Sequence, residues 1–398
     1  MMGKILKVVM LLAVMVSTVG AKTWKAGEKV TAKLSGETLT ISGTGPMLKS
    51  EIKDGGYPVP PWYGSRGAIR NVVIENGVTS IGMMAFFGST GLTSVTIPNS
   101  VTSIGERAFQ GCTGLTSITI PNKVTSIGEM AFQGCISLTS ITIPNSVTFI
   151  GNMAFSGCIG LTSITIPNSV TSLGEMAFYG CTGLTSITLP NSIKSIGPRL
   201  LSGLTGLTSV TIPNGVTSIE DGAFIGLTGL TSVTIPNSVK SIGDNAFNSC
   251  TGLKSITIPK SVTSIGRGAF YGCTNITSMT IPNISTVTSS GLGFSALKSV
   301  TITGSGEWAI DNILTISSNC SITDVVIEDG ITSIGAFTGC NGLTSITVLN
   351  PKPPLAQYAF SGINKEKACL YVPSGSIDAY SSSDDWKLFT CIKDAASR

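Results

Sequence analysis

Along residues 92–114 (LTSVTIPNSVTSIGERAFQGCTG) the apolar side chains fall in three groups: Leu92, Val95 and Ile97; Val101 and Ile104; Ala108, Phe109 and Cys112. The first group alternates with Ser and Thr, which predicts a short strand with its apolar side turned inward. Pro98-Asn99 turns the chain, because Pro lacks a donor and Asn favours turns. Val101 to Ile104 is a second short extended piece, and Gly105 breaks it. Glu106-Arg107-Ala108-Phe109 predicts a helical or 3₁₀ turn that drops Ala108 and Phe109 into a core, with Gly111 and Gly114 permitting the return bends.

The same pattern starts again at 115, 138, 161, 184, 207, 230 and 253, always 23 residues on. An earlier copy begins at Ile69 and irregular ones at 276, 297, 322 and 343, giving about thirteen coils. A fixed period of this size means stacked coils, each burying its apolar residues against its neighbours. Every coil runs the same way, so the strands are parallel and about 4.8 Å apart. Residues 69–363 read as this solenoid, irregular from 283, where Asn283 to Ser295 loses the A-F-x-G-C turn.

A solenoid exposes apolar ends, so the flanking segments read as caps: 22–68 at the N-terminus and 364–398 at the C-terminus. Val30, Ala32 and Leu34, then Leu39 and Ile41 across Ser35-Gly36-Glu37, predict a hairpin. The Pro-rich YPVPPWY at 57–63 predicts extended chain, and an independent binding module is the other reading of 22–68. In the tail, Tyr371, Tyr380, Trp386 and Phe389 suit the covering of a last coil.

Ahead of these segments, Lys4 and Lys7, the apolar run Val8 to Val16 and the small residues Val19-Gly20-Ala21 form the pattern of a secretory signal peptide, residues 1–21. It is too short to span a bilayer, and no stop-transfer run follows. The chain is therefore expected to be secreted or held at the cell surface. Without the leader's lysines, Lys+Arg falls from 25 to 23 against 21 Asp+Glu. That balance, with no basic run, leaves no footprint for nucleic acid.

Ten cysteines in an exported chain suggest disulfides. However, Cys112, Cys135, Cys158, Cys181, Cys250 and Cys273 share one repeat position, which Leu204 and Leu227 fill in two intervening coils. A slot that alternates Cys with Leu is an apolar interior position, and stacked equivalents stand too far apart to bridge. These six read as buried thiols. Cys369 and Cys391, outside the repeats, are the only pair considered for a bridge, and that question stays open.

The unit L-x-x-I-x-I-P-x-x-V-x-x-I-G-x-x-A-F-x-x-C, matched by eight consecutive coils over 92–275, closely resembles the repeat of the BspA-type leucine-rich-repeat proteins. In this chain Leu200-Leu201 replaces Ala-Phe once. The VVIENGVTSIG coil and the LYVPSGSIDAY tail resemble segments common in exported members. The resemblance implies a mainly β, right-handed solenoid with short helical or 3₁₀ turns. It also implies a cell-surface setting and a role in adhesion to host matrix proteins or in cell–cell contact. It carries no catalytic residues and no cofactor.

Chemistry is scarce in the residues themselves. With no His, Ser-His-Asp and Cys-His arrangements and His-containing metal sites cannot be built. Glu106, Glu129, Glu175, Glu220 and Asp244 recur beside the turn at a position that also takes Asn152, Pro198 and Arg267, which suggests a solvated edge rather than paired carboxylates. The chain reads as a non-enzyme.

Two surfaces are candidates for binding. The strand face carries Ser94 and Thr96, then Thr119, Thr142, Thr165, Thr188 and Thr211 at equivalent places, with Lys254, Lys298 and Asp324 interrupting it later. Such hydroxyl ladders also arise simply because Thr suits a sheet and cross-strand hydroxyl pairs stabilise it. The turn face carries a slot after Phe that varies from coil to coil and includes Tyr179 and Tyr271; a tuned contact or plain tolerance would both produce it. The expected partner is a protein or glycan on a host or neighbouring cell. A spacer or surface-array role is the alternative, and a flat Thr array would also suit the ordering of water, as in ice-binding solenoids.

Overall fold

A computed structural model describes residues 20–47, 59–282, 286–287, 296–308, 321–335, 337 and 340–398. The leader pattern lies outside these residues apart from Gly20 and Ala21, and most of the predicted irregular stretch 283–295 lies outside them too.

The chain opens with an antiparallel meander of β1 (Lys22–Lys25), β2 (Val30–Ser35) and β3 (Thr38–Gly43). The predicted hairpin is its β2–β3 part, with Gly36 at φ 58 in the turn. β3 then pairs in parallel with β5 (Asn71–Ile74), and β5 with β7 (Ser94–Thr96). Between them β4 (Gly45–Pro46) opens the second strand column, followed by β6 (Val78–Ile81) and β8 (Ser103–Ile104). Each coil thus supplies one strand to each of two parallel columns. In the regular coils registers repeat without slip, as in Ser117↔Ser140 and Ile118↔Ile141, while the β4–β6 pairing shifts between Gly45 and Pro46.

The core is one continuous column. Leu115, Val124, Ile127, Ala131, Phe132 and Cys135 are fully buried, and the same positions are buried coil after coil. Phe109, Phe132, Phe155 and Phe178 stack at ring-centroid spacings of 5.3, 5.4 and 5.6 Å with planes within 5°. Offset ring pairs at such spacing contribute about 0.5–1.5 kcal/mol each beyond the area they bury.

The turn that carries these rings is not helical. Arg107 lies at φ 53, and Met84, Met130, Met153, Met176, Arg199 and Asn245 at equivalent places range from φ 48 to 56. With Arg107 and Gly111 both left-handed, every second amide of the turn points along the stack. Arg107, Phe109 and Gly111 therefore donate to the carbonyls of Glu129, Ala131 and Gln133 in the next coil, each at 2.8 Å. A helical or 3₁₀ turn would have kept those bonds within one coil, whereas the stack offers every donor a partner in the next.

The ladder has a carbonyl end and an amide end. In the first coil Ala85 has no preceding Phe amide to receive, and its oxygen accepts instead from Trp62 Nε1 at 2.8 Å. Trp62 precedes a 3₁₀ helix, Tyr63–Ala68, whose Tyr63 ring stacks on Phe87. At the far end the strands Cys369–Val372 and Cys391–Asp394 continue the sheet, with α1 (Ile377–Ser382) between them. Trp386 and Phe389 meet the last ring, Phe360, edge-on at 5.2 and 5.6 Å. Asp385 Oδ2 accepts from the Ala356 amide at 2.8 Å, and Trp386 Nε1 donates to Pro354 O at 2.7 Å.

Cys369 and Cys391 form a disulfide directly across this terminal strand pair. They are not the only bridged cysteines: Cys340 is disulfide-bonded as well.

One seam crosses the stack. The second strand column runs from β4 to Ser172–Leu173 and starts afresh at Ser195–Ile196. The coil at the break carries Pro198, Leu200-Leu201 and Leu204 in place of the usual turn residues, so the ring stack lapses at Leu201. The coils also stand further apart there. A β-carbon on Gly174 would lie 2.3 Å from Asn152 N, while one on Gly197 would meet nothing nearer than Leu173 O at 3.8 Å.

Candidate binding surface

Along the first strand column the pattern is exposed, buried, exposed: in Ser140–Thr142, Ile141 is inward and its neighbours face solvent. All the predicted hydroxyl residues are at the surface: Ser94, Thr96, Thr119, Thr142, Thr165, Thr188 and Thr211. Tyr179 and Tyr271 are 46% and 61% exposed, on the turn face. The buried column of Phe178, Ile187 and their equivalents separates the turn face from the strand face, so the two candidate surfaces are not one site. Lys254 and Lys298 are exposed but occupy the column one residue before the Ser position, and Asp324 is engaged by Arg398 Nη2 at 2.8 Å.

The hydroxyl columns divide into two kinds. Thr93, Thr139, Thr185 and Thr231 donate to the carbonyl of the equivalent residue one coil back, at 3.0–3.3 Å. In the second strand column Thr102, Thr125, Thr148, Thr217 and Thr263 do the same at 3.1–3.3 Å. These hydroxyls are consumed in fastening coil to coil. Among the described residues, by contrast, the Thr96, Thr119, Thr142, Thr165, Thr188 and Thr211 hydroxyls hold no side-chain hydrogen bond, and Ser94 bonds Asn71 Oδ1 at 2.7 Å. Cross-strand hydroxyl pairing therefore does not account for this face. In-register equivalents sit a full strand spacing apart, beyond direct O–H···O reach.

Between the strands Ser140–Thr142 and Ser163–Thr165, which are not paired with each other, the face sinks into a depression of about 630 Å³. Its rim includes Asn145, Asn168 and Asn191, residues read from the sequence only as turn formers. Their recurrence at one exposed position from Asn99 to Asn237, where other turn residues would serve, was the available signal. A second hollow, of about 730 Å³, lies between the N-terminal meander and the first coils beside Met47, Ser80 and Glu106, and contains none of the predicted residues.

The carboxylates form no pair. Asn152 Oδ1 accepts from the Glu175 amide, and Asp221 Oδ1 and Asp244 Oδ1 from the amides of the next coil, at 2.6–2.9 Å. Placing Glu220 in this series was an error. The Glu220 amide donates to Ile196 O as Gly105 does to Ile81 O, so Glu220 fills the glycine position and Asp221 is the true equivalent.

The six repeat cysteines are buried free thiols. Burial pushes Cys135 and Cys273 up to about 12, and raises Cys112 well above the ordinary thiol value. Thiols held this far from ionisation are neither nucleophiles nor metal ligands.

These features define a class, the leucine-rich-repeat solenoid with an open, hydroxyl-bearing strand face. The pattern described as the BspA type leucine rich repeat region, in six copies, matches residues 63–181, 104–226, 196–313 and 315–387, and the chain belongs to that family. A leucine-rich repeat protein from Bacteroides ovatus is similar at 28% identity, over 92% of this chain and 98% of that one, with a TM-score of 0.61. A leucine rich cell surface protein from Faecalibacterium prausnitzii matches at 24% identity over 83% and 95%, TM-score 0.39. The pneumococcal vaccine antigen PcpA matches at 19% over 94% and 98%, TM-score 0.48. No curated protein matches the chain. No helix among the described residues is long and apolar enough to cross a membrane.

Proposed function

We propose that this chain is an exported, non-enzymatic solenoid that binds a macromolecule outside the cell through its strand face, by many weak contacts rather than one pocket. The observation that carries the reading is the division of the hydroxyl columns: two fasten the coils, and the Thr96 column faces solvent unspent. Export is supported by the first strand, which begins at Lys22, the residue after the leader pattern, and by the Cys369–Cys391 disulfide. Residues 22–68 and 364–398 act as caps in this reading, with Trp62 donating to the open Ala85 carbonyl of the first turn and Trp386 and Phe389 covering the last ring.

Fractionation of producing cells, followed by screening of the protein from residue 22 on matrix-protein and glycan arrays, tests the proposal. Recovery outside the cytoplasm with a ligand whose affinity falls gradually as coils are removed is expected. Retention in the cytoplasm would refute export. Silence on every array and on the producer's own cells would favour a spacer.

A further inference from the structure

We infer that the strand face is built for an uncharged, hydroxyl-rich chain, a neutral polysaccharide lying across successive coils. This inference rests on the reading of that face as the working surface. From Ser94 to Asn237 each coil presents Ser, Thr and Asn at the same three outward places, and no charged side chain interrupts these columns. A polyanion, whether nucleic acid or acidic glycan, finds no cation within these columns, Lys123 beside Asn122 standing at their edge. A protein partner would find neither the aromatic and Arg anchors nor the apolar centre that protein interfaces rely on.

What the face does offer is hydrogen-bonding capacity of both signs. Thr142, Thr165 and Thr188 hydroxyls are unspent and can donate or accept, and the carboxamides of Asn145 and Asn168 stand beside them along the depression, the Asn168 Oδ1 also accepting from the Asn191 amide at 2.8 Å. A polymer with one hydroxyl-bearing unit after another meets such a surface at every coil. Because the partners are neutral, the contacts escape ionic screening.

The test uses the protein from residue 22 in affinity electrophoresis with dextran, mannan and xylan as neutral probes and heparin and polygalacturonate as anionic ones. The triple variant Thr142→Val, Thr165→Val, Thr188→Val removes exposed hydroxyls with little change of shape. Thr102→Val, Thr125→Val, Thr148→Val removes hydroxyls that fasten coils and serves as the comparison, with the melting temperature of each recorded. Retardation by a neutral probe, unchanged from about 0.05 to 0.5 M salt, at least tenfold weaker in the first variant and retained in the folded second, is expected. Retardation only by the anionic probes, or equal retardation of wild type and first variant, overturns the inference. If no neutral probe binds but a protein from the arrays does, and the first variant loses it, the glycan assignment fails while the strand face stands as the binding surface.

Discussion

The thiol of Cys181 donates to the carbonyl oxygen of Phe155, one coil back, at 2.9 Å. The same bond recurs from Cys112 to Phe86, Cys135 to Phe109 and Cys250 to Phe224. The Cys position is thus an apolar slot with one polar duty, a weak inter-coil bond that Leu204 and Leu227 give up for bulk.

Burial of these thiols ties stability to alkaline pH. Cys135 titrates near 12 in the fold against 9.0 ordinarily, so the folded state holds its proton where the unfolded chain loses it. The stabilisation is complete below pH 9 and drains away as pH rises from 9 towards 12. Melting temperature is expected to fall steadily across that window, and more steeply than in a variant with Cys135→Leu. Ellman's reagent should find none of the six thiols in the native protein and all of them after unfolding.

The left-handed turn position separates glycine from every other residue. Arg199 is exposed at φ 48, while Gly222 and Gly268 hold the equivalent place at φ 62 and 63. Replacing Arg199→Gly relieves about 1 kcal/mol of backbone strain, and Gly222→Val imposes at least that much. Urea titration of the two variants should move the midpoint in opposite directions.

At the seam, the same substitution should have unequal effects two coils apart. Gly197→Ala is expected within about 0.5 kcal/mol of wild type, as for an unstrained surface change. Gly151→Ala drives a β-carbon to 2.6 Å from Glu129 N and should cost about 2 kcal/mol or more. Leu201→Phe alone overpacks against Leu200, whereas L200A/L201F together rebuild the Ala-Phe pair and should recover most of the loss, measured as a double-mutant cycle.

The terminal disulfide closes a segment with a sequence separation of 22. Its removal by Cys369→Ala with Cys391→Ala should lower stability by about 2–4 kcal/mol on chain-entropy grounds. Thermal melts with and without the substitutions check it, and hydrogen exchange is expected to rise first at Leu370, Tyr371 and Ile392.

Much of this was legible in the residues. The 23-residue recurrence of Leu92, Ile104 and Phe109 is enough to require parallel in-register strands and a single buried column, because a repeat can bury its apolar side only against another copy. The Cys/Leu alternation identified an interior slot for the same reason. The strand-face threonines were named correctly as exposed, since alternation dictates which side chains point outward.

Two matters waited for the tertiary structure, each because it depends on what stands in the neighbouring coil. The spacing of Ala108 and Phe109 fits a helical turn as well as the observed one; only the carbonyls of Ala131 and Gln133 next door decide for the left-handed form. The place of Glu220, by contrast, was in the sequence, because the 23-residue period from Gly105 leads to it and from Glu106 to Asp221, and the bond to Ile196 O agrees. Alternation in the sequence turns Thr96 outward, and the structure shows Thr93 exposed as well. Which of them is spent on the stack and which is left for a partner is a matter of reach to a carbonyl one coil away, and no pattern within a single coil contains that distance.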